Sequence, residues 1–293
     1  MRVFSPAKIN LFLHVLGELP DGFHELFSLM VPIDFGDDLE FSFKGKGISV
    51  SCNHPGVPDG SPNLAHRAGI LFFDQYRNRT GQEPLAGVDI RIDKRIPPGG
   101  GLGGGSSNAA TVLMTLNKKC GNIFTRNELM DMGFSLGADV PFFIFGGAAF
   151  ARGRGEKLEK AENLPKRHLV LCDPGVEAST AKVFKNLDLC LTSKGKYTIN
   201  TGSNVLIRGN GIDLEQGLHN DLEETACRLY PEIKSAREEM EMLLGQRVLM
   251  SGSGSSLFAL FSGPEQAEQG GETLQRQWQG GSRKLFVSSF QIE

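Results

Sequence analysis

The chain has 293 residues and an almost balanced charge, with 31 basic and 34 acidic side chains. This length predicts one large or two ordinary domains with a buried core. Because no block of Lys or Arg stands out, a nucleic-acid partner is not expected. The longest apolar run, Val140–Ala151, is too short to span a bilayer, and the N-terminus has no apolar signal-peptide core, so we expect no membrane segment.

The cysteines are far apart, odd in number and free of any Cys-x-x-Cys pair. This spacing indicates neither a zinc site nor a disulfide framework, and reduced thiols of a cytoplasmic protein are expected. The five are Cys52, Cys120, Cys172, Cys190 and Cys227.

Residues 7–15 alternate between apolar and mixed positions, which predicts a first strand. On such a strand Lys8 and Asn10 share one face, roughly 6 to 7 Å apart. A solvated lysine on an exposed face would produce the same pattern. A turn at residues 20–22 then leads into a second strand that begins with Phe23 and His24.

The next segments predict a strand followed by a helix. Residues 38–50 alternate like a strand, and Ser61-Pro62-Asn63 predicts a helix start with the proline in its first turn. Asn63 is most simply the cap of this helix. The segment Val88–Asp93 alternates apolar and charged residues, which predicts a strand with one wet face that ends near Lys94.

That strand leads into a loop in which six of the seven residues from Gly99 to Gly105 are glycine. Glycines let successive backbone N–H groups turn toward one point. Ser106, Ser107 and Asn108 then favour the start of a buried helix, whose N-terminus carries a partial positive charge. Loop and helix together predict a phosphate-binding site.

Two common phosphate loops do not match this stretch. A P-loop requires a lysine before the Ser, whereas Ser106 follows Gly105 directly. A dinucleotide-binding turn can be placed on Gly99, Gly101 and Gly104, but its first strand should be buried on both faces, and the chain after the helix begins another helix. The dehydrogenase interpretation is therefore weak.

Downstream, Thr125 and Glu128 form a capping box for a helix that ends at Gly137. Asp139 stands just before Pro141 and an apolar run, which is typical of a helix N-cap. Glycines near residues 146–155 suggest a loose domain boundary. Residues 220–223 predict the start of a further helix, which is interrupted at Pro231. Two short apolar segments farther on flank a second glycine-rich turn, Ser251–Ser256.

Four of these motifs occur in an order that resembles the GHMP kinases, and within them the 4-diphosphocytidyl-2-C-methyl-D-erythritol kinases. They are Ser-Pro-Ala-Lys-Ile-Asn-Leu at residues 5–11, the loop from Pro98 to Ser107, Gly-Ala-Asp-Val-Pro at 137–141, and the glycine turn at 251–256. The family also has Asp-Gly-Tyr-His where this chain has Phe23. The phenyl ring keeps a stacking face but lacks the hydroxyl.

The resemblance implies an α+β two-domain GHMP kinase fold. Residues 1–160 would form a nucleotide domain like ribosomal protein S5, and residues 161–293 a ferredoxin-like domain. The implied enzyme is monomeric or homodimeric and acts in the non-mevalonate isoprenoid pathway. It transfers the γ-phosphoryl group of ATP, with Mg²⁺, to the 2-hydroxyl of diphosphocytidyl-methylerythritol.

The resemblance also assigns roles to individual residues. It implies that Asp139 is the general base and that Lys8 orients it and stabilises charge. No protein ligand to a metal is implied. Substrate contacts are expected from Asn10, Phe23, His24 and Thr180. ATP contacts are expected from Asn63, Lys94, Pro97, Pro98, Gly99, Gly100, Gly101, Leu102, Gly103, Gly104, Gly105, Ser106, Ser107 and Asn108. A kinase for another small alcohol, or a catalytically silent sensor of the same fold, would share part of this pattern.

Overall fold

The computed structural model describes residues 1–84, 86–188, 207–208, 211–212, 214–279 and 282–290. The strands in these ranges are β1 (Arg2–Glu18), β2 (His24–Phe43), β3 (Ile48–Cys52), β4 (Val88–Asp93), β5 (Ala149–Gly153), β6 (Lys157–Lys160), β7 (Arg167–Asp173), β8 (Ile207–Arg208), β9 (Gly211–Ile212), β10 (His219–Asn220), β11 (Val248–Met250), β12 (Leu257–Phe261) and β13 (Lys284–Phe290). The helices are α1 (Leu64–Thr80), α2 (Gly104–Lys119), α3 (Arg126–Leu136), α4 (Val140–Phe145), α5 (Thr180–Lys185), α6 (Leu214–Gly217), α7 (Glu223–Leu229), α8 (Pro231–Leu244) and α9 (Pro264–Gln277).

The chain forms two compact units that interleave along the sequence. The first unit contains residues 1–7, 36–98 and 103–147, and the second contains residues 8–35, 99–102 and 148–293. The mixture of helices and sheets confirms the α+β class. The division into linear domains at residue 160 stays a prediction.

In the first unit, the second half of β2 pairs antiparallel with β4, from Asp38 opposite Asp93 to Phe43 opposite Val88. Strand β3 pairs parallel with β4. Helices α1 and α2 pack extensively against each other, as do α3 and α4. The apolar core of this unit includes Phe72, Leu113 and Phe142, all fully buried.

Three predicted elements differ from the observed ones. The proposed strand over residues 38–50 is wrong, because β2 ends at Phe43 and the chain turns through Gly45 and Gly47, both with positive φ, before β3 begins. Helix α1 begins after Asn63, so Pro62 precedes the cap instead of lying in the first turn. Helix α2 begins at Gly104, two residues before the predicted serine, because Gly103 in the left-handed region takes the N-cap position.

The second unit contains an antiparallel sheet in the order β11-β12-β7-β13. Its core includes Val170, Ile233, Met240, Leu257 and Leu274, and it also includes residues of β1. Strand β1 pairs parallel with β10, which places Phe12 opposite His219 and Leu13 opposite Asn220. The first half of β2 pairs antiparallel with β5. The helix predicted after Asn220 is interrupted at Tyr230, as expected from Pro231.

Cys52, Cys120, Cys172 and Cys227 are free thiols, and Cys190 lies outside the described residues. Burial raises the pKa of Cys172 to about 12, so this thiol stays protonated and unreactive at neutral pH. Among the helices described, none combines the length and the hydropathy needed to cross a bilayer.

Candidate active site

Lys8 and Asn10 lie side by side on β1 and are almost fully buried, each with 3% of its surface exposed. The Nζ atom of Lys8 donates to Oδ1 of Asn10 at 2.8 Å, and Nδ2 of Asn10 donates to Oγ of Ser28 at 2.8 Å. The alternative of a solvated lysine is therefore wrong. A buried ammonium held by an amide oxygen is suited to binding an anionic group.

The Ser251–Ser256 turn lies directly against this pair. A Cβ atom added to Gly252 would lie 3.2 Å from Lys8 Nζ and 3.4 Å from Asn10 Oδ1. Gly252 has a φ of 58°, so glycine is favoured both by the backbone conformation and by the close approach of the two polar side chains. The turn therefore brings bare backbone up to the ammonium group.

The first part of the glycine loop packs on the same turn. The Ser256 backbone N donates to Gly100 O at 3.1 Å, and Ser251 Oγ donates to Gly101 O at 3.1 Å. A Cβ atom on Gly101 would lie only 2.1 Å from Ser251 O. The Lys8 backbone N also donates to Leu102 O at 3.0 Å. The second unit thus gathers three of the four predicted motifs, at least in part.

Asn220 binds the backbone of this turn. The sequence analysis assigned it to a helix start and did not identify this role. Its Nδ2 donates to Met250 O at 2.7 Å and to Gly252 O at 2.8 Å. Its Oδ1 accepts from the Leu222 backbone N at 2.9 Å. An Asn before an acidic helix start is too common a signal to reveal these long-range contacts.

In the described part of the first unit, helix α2 begins without a side-chain cap. Gly103, with a φ of 71°, takes the N-cap position and has no side chain to cap the helix. The first helical hydrogen bond runs from Ser107 N to Gly103 O at 2.8 Å. The N–H groups of Gly104, Gly105 and Ser106 precede it, so they are available to an anion in the way typical of helix N-termini.

Asp37 binds the segment that leads into the glycine loop and this helix, and the sequence analysis did not identify it. Its carboxylate is fully buried. It accepts from Lys94 Nζ at 2.6 Å, from the backbone N of Arg95 and of Ile96 at 2.8 Å each, and from Asn108 Nδ2 at 3.0 Å. One carboxylate therefore connects strand β2, the end of β4 and the first turn of α2.

A signal for Asp37 was present in the sequence. Phe35, Asp37, Leu39 and Phe41 alternate, which places Asp37 among the inward-facing residues of β2. A carboxylate in such a row needs several donors, because burying it without them is costly. Only the partners of Asp37 required the tertiary structure.

The side chains of three predicted ATP-binding residues form hydrogen bonds within this region. The Lys94 side chain is only 4% exposed and pairs with Asp37. Its Nζ atom also lies close to the start of α2, since it would be 2.7 Å from a Cβ atom added to Gly104. The Asn108 side chain binds Asp37 and Ser5, and Ser107 Oγ shares a hydrogen bond of 2.8 Å with Ser5 Oγ. Their side chains thus support the loop from within, and their contact with ATP stays a prediction.

Asp139 takes the predicted N-cap position of α4, with φ −85° and ψ −10°. Among the described residues, its side chain makes no capping hydrogen bond to α4. The preceding turn lies beside the start of α2, because a Cβ atom on Gly137 would be 3.8 Å from Ser106 Oγ. Asp139 is half-buried.

The predicted substrate residues lie in the second unit. Phe23 is 55% exposed, and the Arg154 guanidinium lies over its ring at 4.2 Å while also pairing with Asp21. The His24 ring lies 5.0 Å from the ring of Phe184, and Thr180 Oγ1 shares a hydrogen bond of 2.7 Å with Ser253 Oγ. Thr180 is thereby connected to the glycine turn.

The remaining predicted residues have ordinary structural roles. Asn63 caps α1, with Oδ1 accepting from Ala65 N at 2.9 Å and Nδ2 donating to Pro58 O at 3.0 Å. Pro97 is buried and Pro98 is half-buried where the chain enters the loop. Their contact with a nucleotide stays a prediction.

Comparison with known proteins agrees with this geometry. Residues 63–147 match the family model described as the GHMP kinases N terminal domain, and residues 205–280 match the GHMP kinases C terminal model. The 4-diphosphocytidyl-2-C-methyl-D-erythritol kinase of Geobacter sp. (strain M21) is 42% identical over 89% of each chain. That of Syntrophotalea carbinolica is 42% identical over 92% of each chain.

A crystal structure of 4-(cytidine 5'-diphospho)-2C-methyl-D-erythritol kinase has 35% identity to this chain, a TM-score of 0.80 and complete coverage of both chains. A homoserine kinase from Cytophaga hutchinsonii has 19% identity and a TM-score of 0.71, which is a likeness of fold alone. The chain therefore belongs to the GHMP kinases, and within them to the 4-diphosphocytidyl-2-C-methyl-D-erythritol kinase family.

Proposed function

We propose that this chain transfers the γ-phosphoryl group of ATP to the 2-hydroxyl of 4-diphosphocytidyl-2-C-methyl-D-erythritol, producing the 2-phosphate and ADP in the non-mevalonate isoprenoid pathway. The observation that carries the proposal is the buried Lys8–Asn10 pair beside the Gly252 turn. Both residues belong to the opening motif that resembles this particular family. The relatives at 42% identity carry the name of this activity.

The phosphates of ATP are proposed to bind at the glycine loop and the start of α2. The supporting geometry is the row of backbone N–H groups at Gly104, Gly105 and Ser106, ahead of a 16-residue helix whose dipole favours negative charge. A side chain on Gly101 would collide with Ser251 O, so the loop is kept bare of side chains there. Mg²⁺ would accompany ATP and share the phosphate charge, and no protein ligand to it is proposed.

Asp139 is proposed to accept the proton of the attacking hydroxyl. Asp139 is half-buried at the N-terminus of α4 and belongs to the Gly-Ala-Asp-Val-Pro motif that resembles this family. Lys8 is proposed to hold the hydroxyl, orient Asp139 and stabilise the negative charge that develops during transfer. Its ammonium is positioned by Asn10, so little reorganisation is required when that charge appears.

The substrate is proposed to be held by Asn10, Phe23, His24 and Thr180. Phe23 offers an exposed ring face for stacking on the cytosine, and His24 is fixed against Phe184. Thr180 forms a hydrogen bond with Ser253, so this proposed substrate contact is held by the Ser251–Ser256 turn. The missing hydroxyl at Phe23 removes one possible hydrogen bond but not the stacking surface.

The reaction is tested by measuring ADP release from Mg-ATP with diphosphocytidyl-methylerythritol, mevalonate, homoserine and galactose offered separately. Release with the first compound alone is expected. Release with another compound would keep the kinase and overturn the substrate. ATP binding without release with any of the four would indicate a silent sensor, and binding of a nicotinamide cofactor would indicate a dehydrogenase.

The catalytic roles are tested with Asp139→Asn and Lys8→Ala. A general base typically contributes about 10² to 10⁴ in rate, so Asp139→Asn should lose roughly that factor in kcat while calorimetry shows nearly unchanged ATP affinity. Lys8→Ala should lose a comparable factor. Asp131→Asn and Lys157→Ala change exposed side chains and serve as matched controls with normal kcat. Near-normal turnover in Asp139→Asn would remove the base assignment.

A further inference from the structure

Two histidines and an aspartate, to which the proposed reaction assigns no role, meet where β1 pairs with β10. His14 and His219 have stacked rings with centroids 4.8 Å apart. His219 Nε2 lies 2.6 Å from Asp221 Oδ1, and His14 Nδ1 lies 3.9 Å from Asp221 Oδ2. One potential ligand atom from each residue lies within 4.8 Å of the other two.

We propose that His14, His219 and Asp221 form a binding site for one divalent transition-metal ion of the zinc class. Two imidazole nitrogens and one carboxylate oxygen are a typical zinc ligand set, whereas Mg²⁺ prefers oxygen ligands alone. The site is therefore chemically distinct from any Mg²⁺ that accompanies ATP. The inference does not depend on the proposed kinase activity.

The distances allow an ion with small side-chain movements. Three atoms separated by no more than 4.8 Å fit around a point about 2.8 Å from each. Zinc–ligand distances are about 2.0 to 2.2 Å, so shifts below about 1 Å bring the three atoms into range. The two imidazole rings, which are stacked at an interplanar angle of 20°, must also rotate to direct their nitrogens at one ion. The short contact between His219 and Asp221 would be replaced by two bonds to the metal, with the His219 imidazole in the tautomer that carries its proton on the other ring nitrogen.

The surrounding structure orients the carboxylate as metal sites require. Asp221 Oδ2 accepts from the Val15 backbone N at 2.7 Å, and the Asp221 backbone N donates to Leu13 O at 3.0 Å. Such hydrogen bonds fix the direction of a ligating carboxylate. The Asp221 side chain is only 9% exposed.

The site is accessible from solvent. The His219 side chain is 41% exposed and lines a cleft of about 580 Å³. An ion can therefore enter from solvent, and water can complete its coordination.

Occupation of the site would tie the first strand of the second unit to β10. Asn220 stands between the ligands His219 and Asp221 in the sequence. It donates to Met250 O, just before the glycine turn, and to Gly252 O within the turn. The metal would thus stiffen the segment that supports this turn. We assign it a structural role, with no part in the transfer of phosphate.

Binding is tested on tag-free protein that has been treated with a chelator and then titrated with Zn²⁺ in competition with a chromophoric indicator, without nucleotide. One Zn²⁺ per chain is expected. His219→Gln and Asp221→Asn should weaken binding at least about tenfold, because loss of even an outer-shell partner of a ligand typically costs about 10- to 100-fold. His168→Gln is the matched control, because His168 belongs to no other such cluster among the described residues.

Co²⁺ substitution and hydrogen exchange give readouts independent of activity. Co²⁺ should show visible bands of a four- or five-coordinate site without a thiolate charge-transfer band, and Zn²⁺ should slow amide exchange at residues 219–222. No binding would overturn the proposal. So would a thiolate band, which would indicate cysteine ligands, or an affinity unchanged in both His219→Gln and Asp221→Asn.

Discussion

Replacing Asp37 with Asn removes the negative charge from a buried cluster while keeping the shape of the side chain. Lys94, with 4% exposure, is then left with a buried charge and no carboxylate. The Asp37 carboxylate also accepts hydrogen bonds from Arg95, Ile96 and Asn108. In the variant, at least one of these donors would face the NH₂ group of the new amide. Removing one partner of a buried ion pair typically costs about 3 to 5 kcal/mol.

This cost is large compared with the total stability of a domain, which is about 5 to 15 kcal/mol. For chains of about this size, each kcal/mol shifts the melting temperature by about 2 to 4 °C. Asp37→Asn should therefore melt about 6 to 20 °C below the wild type when unfolding is followed by circular dichroism. The affinity for ATP should also fall, because the same carboxylate fixes the entry to the glycine loop.

The neighbouring residue provides a control. Asp38 pairs with Arg2 in a contact where the arginine side chain is 67% exposed, so Asp38→Asn should cost at most about 1 kcal/mol. Adding Lys94→Met to Asp37→Asn removes both charges and should restore part of the lost stability. Melting of Asp37→Asn within about 2 °C of Asp38→Asn would refute the view that the buried carboxylate organises this region.

Three further predictions concern other parts of the chain. Gly101→Ala should raise the KM for ATP and lower the melting temperature, since its Cβ would lie 2.1 Å from Ser251 O at a φ of 73°; normal kinetics in a coupled assay would contradict this. Thr125→Ala removes a capping box and should cost about 0.5 to 2 kcal/mol in urea unfolding, with no change in kcat. A hydrogen bond from Arg283 lowers the pKa of Glu239 to about 2, so the stability it contributes is present above its unfolded pKa of about 4.3 and lost as pH falls toward 2. Acid titration of the melting temperature should therefore show a smaller drop over that window in Arg283→Gln than in the wild type.

Several local features followed from the sequence because they depend on residues close together in the chain. The capping box at Thr125 and Glu128, the helix end at Gly137 and the break before Pro231 were predicted and are observed. Each depends on backbone sterics or on hydrogen bonds within one helical turn. The glycine loop was recognised for the same reason, although α2 begins two residues earlier than predicted because Gly103 adopts a left-handed conformation.

The roles of Asp37 and Asn220 could not be read in this way. Their partners lie 57 and 30 or more residues away, and only the packing of the strands brings them together. The alternation of apolar residues along β2 placed Asp37 on the inward face, but it does not identify the groups that donate hydrogen bonds to its carboxylate. For Lys8 the same limit applied, because a lysine on a strand has the same sequence pattern whether it is solvated or buried.

By itself, the sequence determined the motifs and their order, because a motif consists of residue types at short spacing. The resemblance that these motifs carry implied the α+β fold and the kinase family. The tertiary structure alone decided that Lys8 is buried against Asn10, that Asp37 holds the entry to the glycine loop, and that His14 meets His219 and Asp221. Such contacts join distant segments, and their geometry is fixed only when strands pair and side chains compete for the same buried space.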